Sequence, residues 1–350
     1  MKALFIGGTG TISSAITRQL ADNPMWELWL LNRGHRSAEV PTNVHLIQAD
    51  IANEEDVRKK LEGMTFDCVC DFIGFVPEQV ERDYRLFSGR TRQYMYISSA
   101  SAYQKPLSSP FITEGTPLCN PYWQYSRDKI ACEQVLLRHY RENGFPITII
   151  RPSHTYCERS VPVAIHGQKG PWQVLQRMLD GKPILIPGDG TTLWTVTHNS
   201  DFARAFIGLM GNAHALGETF HITSDEHLTW NQIMQSVANA LGVELKPYHV
   251  ASDFIAAVGK HYDMEGNLIG DKANTVLFDN SKLKRAVPEW TASVRFDQGA
   301  RWAVDYMLSH EECRVPDPDF DLWCDNIIAA QEHALRELSN KLKALTDCTD

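Results

Sequence analysis

A chain of 350 residues, 43% of them hydrophobic and 22% charged, can bury a sizeable core, which excludes a disordered or fibrous protein. Its formal charge of −9, with Lys and Arg scattered, argues against a nucleic-acid surface, and no apolar run reaches the roughly 20 residues of a membrane helix. The N-terminus enters a glycine loop instead of a cleavable signal, so a cytoplasmic protein with no membrane or nucleic-acid partner is expected.

Eight cysteines, at 68, 70, 119, 132, 157, 313, 324 and 348, show neither paired CxxC spacing nor scaffold density, so reduced thiols and no metal site are expected. From residue 2 to about 150, short apolar runs alternate with helical stretches. "KALFIG" precedes a helix over 11–22, "WELWLL" and "NVHLIQAD" lead to one over 53–61, and "FDCVCDFIG" leads to one over 77–87. "RQYMYISS", a helix over 121–143 and "PITIIRP" complete the series. Strands alternating with helices predict an α/β fold with a doubly wound parallel sheet and right-handed crossovers. Cys68 and Cys70 flank one residue of a strand and so share a face.

After Arg151 the alternation loosens into "RPSHTYCERSVPVAIHGQKGPW", a helix near 172–180 and the turn "IPGDGTTLW". Long irregular segments in an enzyme are functional loops, and His166 and Lys169 are expected on the substrate loop. "TWNQIMQSVANALG" predicts a helix capped by Thr229 and ended by Gly242. A last helix over 321–345 carries an apolar stripe between charges. It is expected to pack on its own chain, with a homodimer contact as the alternative.

"FIGGTGTISSA", residues 5–15, sets Gly7, Gly10 and Ser13 in the three places of a GxxGxxG pattern, with Thr9, Thr11 and Ile12 completing the loop. The first two glycines allow a tight turn and close approach to a pyrophosphate, while the helix N-terminus offers amide donors. Ser13 takes the place that governs packing of helix on strand. The second strand ends at Asn32-Arg33, the third at Asp50-Ile51, placed for an adenine amino group, and the fourth at Ile73-Gly74, where a small residue leaves room for a cofactor. With Arg33, and Arg36 nearby, and no carboxylate to repel a 2′-phosphate, NADP is slightly favoured over NAD. Residues 1–150 are thus read as an NAD(P)-binding Rossmann domain. Residues 151–350 are read as mainly a smaller substrate-binding α/β portion, with some segments returning to the Rossmann core.

Tyr125 and Lys129 are four apart and share a helix face. A phenol titrates near 10, and a neighbouring ammonium favours the phenolate, so Lys129 is expected to tune Tyr125. A serine ending the adjacent strand, Ser99 by position with Ser98 as its alternative, would bind the reacting oxygen.

With these residues on the page, the chain resembles the extended short-chain dehydrogenase/reductase family, which includes sugar-nucleotide epimerases and dehydratases. The resemblance runs through "GGTGTIS", Asp50, "SSASAY", "YSRDK", "IIRPSHTY", "VTHNSDFARAF" and "KLKRAVPEW". It implies Ser99, Tyr125 and Lys129 as the catalytic set, with hydride passing between a substrate carbon and the nicotinamide. It also implies Pro152 and Ser153 beside the nicotinamide, His154 facing the substrate, and a structural rather than catalytic role for His198.

The departures from the family pattern are informative. Dehydratases carry an Asp-Glu pair after the catalytic Ser/Thr, where this chain has Ala100 and Ser101, so dehydration is disfavoured. Where sugar-nucleotide enzymes tend to have a diphosphate-clamping Arg, four residues before His198, stands Trp194. Trp194 is either a flat face for a substrate without a nucleotide diphosphate, or core, with Arg159 or Arg285 as the clamp. The run "FDCVCDFIGF…EQVERDYRLF…RQYMYISSASAY" is also similar to the branch of chloroplast stem-loop-binding proteins, which tends to lose the tyrosine kept here.

The expectation is an NAD(P)-dependent oxidoreductase or epimerase acting on a sugar-like small molecule. The alternatives are a catalytically idle cofactor-binding regulator or RNA-associated protein, and a reductase of a non-sugar ketone.

Overall fold

Apolar alternation along each strand decides how the chain layers. In β1 (Lys2–Ile6), Ala3 and Phe5 enter one buried cluster and Leu4 and Ile6 another, on the opposite face. Next come β2 (Glu27–Asn32), the edge strand β3 (His45–Gln48), β4 (Cys68–Asp71) and β5 (Tyr94–Ile97). Cys68, Cys70, Met95 and Ile97 join the first cluster, and Val69, Tyr94 and Tyr96 the second. The computed structural model describes residues 1–34 and 40–346; Arg36 and Cys348 lie outside the described residues.

Two later strands, Ile147–Pro152 and Thr219–Ile222, complete a seven-stranded sheet. Its order is β3, β2, β1, β4, β5, then these two, and every pair is parallel. Chain order reverses between β1 and β4, and at such a switch point the strand C-termini open a crevice.

Both faces of a parallel sheet must be covered. The helix α1 (Ser13–Ala21) and the helix Asn199–Leu209 cover one through Ile16, Leu20, Phe202 and Phe206. The other lies under α2 (Glu54–Lys60), α3 (Pro77–Phe87) and α4 (Gln124–Asn143), through Val57, Val80, Phe87, Cys132 and Leu136. The doubly wound α/β architecture expected from the sequence is present. Cys68 and Cys70 share a face, their sulfurs 3.5 Å apart in the core.

A further apolar cluster draws mostly on residues after 151. It joins the helices Trp172–Leu179, Trp230–Leu241 and Phe296–Ser309 to the start of the last helix, Pro318–Thr346. Thr229 caps the second of these, accepting the amide of Gln232 at 3.1 Å, and Gly242 ends it with φ 72°. The last helix begins before the expected residue 321, with Pro318 in a first turn that needs no amide. Phe320, Cys324, Ile327 and Ile328 bury its first part, and Arg177 holds Asp321 and Asp325 at 2.6 and 2.8 Å. Leu335, Leu338 and Leu342 further along are exposed. Among the described residues no helix is long and apolar enough to cross a membrane.

One buried ion pair ties α4 to the sheet. Arg151 donates to both oxygens of Glu133 at 2.9 and 2.6 Å, and Ser98, just past β5, donates to the same carboxylate at 2.5 Å. The two charged side chains are 6% and 1% exposed, so neither has water to fall back on. Removing one partner leaves an uncompensated buried charge. Glu133→Ala is therefore expected to lower the unfolding free energy by about 3–5 kcal/mol in urea titrations. A change under 1 kcal/mol would contradict this account of the pair.

Candidate active site

The turn after β1 is made by Gly7 and Gly8, whose φ values of 101° and 110° suit glycine. A Cβ on Gly8 would stand 2.8 Å from Cδ2 of Leu30, so this glycine, outside the GxxGxxG spacing, lets the loop pack against β2. Ser13 does more than fill the third place of that spacing. It is buried, and its Oγ accepts the amide of Gly10 at 3.0 Å. No side chain caps the start of α1, which leaves its first amides to an anion in front of it.

The loop faces a cleft of 860 Å³ at the switch point of the sheet. Gly7, Thr9, Gly10, Thr11 and Ile12 line one end, Asn32, Arg33, Asp50 and Ile51 the side, and Lys129 and Pro152 the other end. Asp50 Oδ1 accepts the amide of Ala52 at 3.0 Å, and Asn32 Oδ1 that of Gly34 at 2.8 Å. A glycine cradle at one end and a lysine at the other make this a fitting bed for a dinucleotide.

Gly74 itself is not among the residues lining the cleft, although Ile73 and Phe75 on either side of it are. A Cβ there would collide with the carboxylate of Asp71, so its smallness accommodates that buried side chain. Its carbonyl accepts Lys129 Nζ at 2.6 Å and the Tyr96 hydroxyl at 3.1 Å. Ser153 likewise lines the neighbouring cavity described below and donates to the carbonyl of Thr195 at 2.9 Å.

Tyr125 and Lys129 lie one turn apart on α4. Lys129 Nζ donates to the carbonyls of Gly74 and Ile97 at 2.6 and 2.7 Å and stands 5.8 Å from the centre of the Tyr125 ring. Burial pulls its ammonium down to about 8. Burial also raises Tyr125, a hydrogen bond with Ser99 opposes the rise, and the charge of Asp271 adds to it. The expected pull of Lys129 toward the phenolate does not show in this balance, and Tyr125 is a neutral phenol. Ser99, and not Ser98, is the serine beside it: Ser98 is engaged with Glu133, while Ser99 shares a 2.8 Å hydrogen bond with Ser101.

Tyr125 and Pro152 also border a second cavity, of 300 Å³. Ser99, Ser153, His154 and His166 bring polar edges to it. Burial, reinforced by the charge of Lys272, holds His154 at about 3 and His166 at about 4, so both imidazoles are neutral at pH 7.

Trp194 lines this cavity but is only 3% exposed. It stacks on Trp230 with centroids 5.7 Å apart and planes at 26°, and its indole N–H donates to His154 Nδ1 at 3.4 Å. Of the two readings of Trp194, core prevails over an open stacking face. Lys169 does not reach the cavity: it is exposed, and its backbone amide lies 3.4 Å from Asp317 Oδ2. His198 caps the helix Asn199–Leu209, its Nδ1 accepting the amide of Ser200 at 3.3 Å.

Other lining residues escaped the sequence. Gln79 and Arg82 of α3 reach the cleft, and Trp123, Asn267, Asp271 and Lys272 reach the second cavity. Most of the latter come from a π-helical turn, Glu265–Lys272, that Asn120 and Trp123 fasten to the site. Asn120 Nδ2 donates to the carbonyls of Ser101 and Gly270, both at 2.8 Å, and Trp123 Nε1 donates to Asp263 at 2.6 Å. No local periodicity announces such a turn; only the dense Gly and Asp of "DMEGNLIGDK" mark it as irregular.

Comparison with known proteins agrees with this geometry. The model of the NAD dependent epimerase/dehydratase family matches residues 3–223. A 2'-dehydrokanamycin reductase from Streptomyces kanamyceticus is 23% identical over 256 residues, spanning 73% of this chain and 71% of the reductase. The chloroplast stem-loop binding protein of 41 kDa b from Arabidopsis thaliana is 26% identical over 254 residues. That match spans 69% of this chain and 63% of the relative, less than two thirds of its length. In fold, the chain is similar to a dTDP-glucose 4,6-dehydratase from Bacillus anthracis, solved with NAD, at a TM-score of 0.69 and 18% identity over 89% of this chain and 98% of that one.

The depressed lysine has a consequence for stability. Below pH 8 the folded and unfolded chains both carry the Lys129 charge, and the folded state bears its burial. Between about 8 and 10.5 the folded chain has shed a proton that the unfolded chain keeps, so stability rises with pH. Relative to Lys129→Met, the wild type is expected to gain about 1–3 kcal/mol across that window in denaturant titrations at stepped pH. A flat difference would show that Lys129 titrates normally.

Proposed function

Since the chain belongs to the NAD-dependent epimerase/dehydratase family, we propose that it is an NAD(P)-dependent oxidoreductase or epimerase acting at a hydroxyl or keto carbon of a sugar-like substrate. One observation carries this reading: Tyr125 forms a wall of both the cleft fitted to a dinucleotide and the polar cavity beside it. NAD or NADP, when bound, accepts a hydride from a substrate carbon or returns one.

Everything else is the work of the chain. The neutral phenol of Tyr125 gives its proton to the substrate oxygen as a carbonyl is reduced, and recovers it in the opposite direction. Ser99 hydrogen-bonds the same oxygen and holds it near the phenol. Lys129, fixed by two carbonyls, sets the position of α4 against the ends of β4 and β5 and keeps a positive charge beside the reaction. No carboxylate follows Ser99 to protonate a leaving hydroxyl, which supports oxidoreduction or epimerisation over elimination.

The size of the second cavity supports a compact substrate without a nucleotide diphosphate. Similarity to a reductase of 2'-dehydrokanamycin supports the same view. Asn32 and Arg33 at the cleft edge, with no acidic side chain ending β2, support NADP slightly over NAD.

A screen of free sugars, sugar acids and nucleotide sugars, followed by nicotinamide absorbance, identifies the working substrate. On it, Tyr125→Phe is expected to lower kcat/KM by about 10²–10⁴-fold with the thermal midpoint unchanged. Full activity in that variant would defeat the assignment and favour an idle cofactor-binding protein. Arg33→Ala is expected to weaken NADP binding about 10-fold in calorimetry while NAD binding holds. Equal loss for both cofactors would remove the NADP preference.

A further inference from the structure

Lys272 brings a positive charge to the second cavity with nothing of the chain to bind there. It ends the π-helical turn, is 7% exposed and lines the cavity. Among the described residues its Nζ has neither a hydrogen-bond nor an ion-pair partner. Asp271 does not cancel it. That carboxylate responds more strongly to the ammonium of Lys105, itself 3% exposed, than to Lys272. Two largely buried ammonium groups thus share the Asp271 carboxylate, and neither forms an ion pair with it.

Its charge is felt by His154 and His166, which sets the ammonium near both rings, and both are neutral. A second chamber, of 200 Å³, shares His166, Asn267 and Lys272 with this cavity as lining, and Gln168 and Tyr262 help to line it. Lys272 thus borders both spaces. Largely enclosed and without acceptors from the chain, the ammonium is better served by a ligand that brings them.

Resting on the reading of this cavity as the substrate site, we propose that Lys272 binds a compact anionic substituent, a carboxylate or a phosphate, borne by the substrate. The reacting carbon lies at Tyr125 and the anionic group at Lys272, on the side shared with the chamber. Asp271, balanced by Lys105, is left to accept from ring hydroxyls.

Calorimetric titration with D-glucose, D-glucuronate, D-glucose 6-phosphate and D-glucosamine tests this without turnover. Glucuronate or glucose 6-phosphate is expected to bind the wild type at least about 10-fold more tightly than glucose, and the stronger of the two identifies the anion. Lys272→Met is expected to abolish the preference and Lys272→Arg to retain most of it, with circular dichroism melts confirming that both variants fold. The proposal falls if neither anion binds at millimolar concentration, if glucose or glucosamine binds as tightly as the anions, or if the preference survives in Lys272→Met. Because binding is read directly, such a failure beside an intact Tyr125→Phe effect strikes this proposal alone. The reverse pattern strikes the proposed reaction.

Discussion

Glu133 and Arg151 bury opposite charges where α4 crosses the ends of β5 and the strand Ile147–Pro152, and the site's geometry rests on that crossing. Neither group can stay in the interior alone, and Ser98 completes the satisfaction of the carboxylate. The guanidinium also lies 4.9 Å from the centre of the Tyr103 ring. A rotation of α4 that moved Tyr125 off the cavity wall would have to break this pair first. Rigid support of this kind is what a proton-transferring phenol needs, because its reach is that of one hydrogen bond.

Around that support, burial acts in the same sense on several titratable groups: each is driven toward its uncharged form. Tyr125 is raised, Lys129 lowered, His154 and His166 kept neutral, and Asp271 raised to about 6. A cavity with so little free charge gives unusual weight to any ion that remains in it, since little solvent screens it. The same dryness keeps the proton on Tyr125 and pulls the Lys272 ammonium below its usual range, which an anion beside it would oppose.

Much of this was legible from local patterns. Period-two alternation in "KALFIG" and "FDCVCDFIG" reports the two faces of the sheet because the strand itself imposes that period, and α3 lies where its helical spacing sets it. The cleft was legible for a similar reason: strand ends fall at fixed offsets from the glycine loop. Gly8 was not, because only the approach of Leu30 from β2 reveals why it must be small. Nor was Gly74, whose neighbour Asp71 turns inward. Asp271 and Lys272 were hidden for a deeper reason. They reach the cavity through Asn120, 150 residues away from Gly270, and a π-helical turn has no repeat for a sequence to display. With Trp194 the position was legible and the orientation was not, since spacing cannot tell a ring's face from its edge.

That edge has an optical consequence. Trp194 is shielded, stacked on Trp230 and hydrogen-bonded to a histidine on the cavity wall, while Trp123 borders the same space. Both indoles are built into the wall of one small chamber, so its filling, drainage and change of polarity are written into the intrinsic emission of the protein. Occupancy of the cavity can be followed by light, with no label and no chemistry taking place.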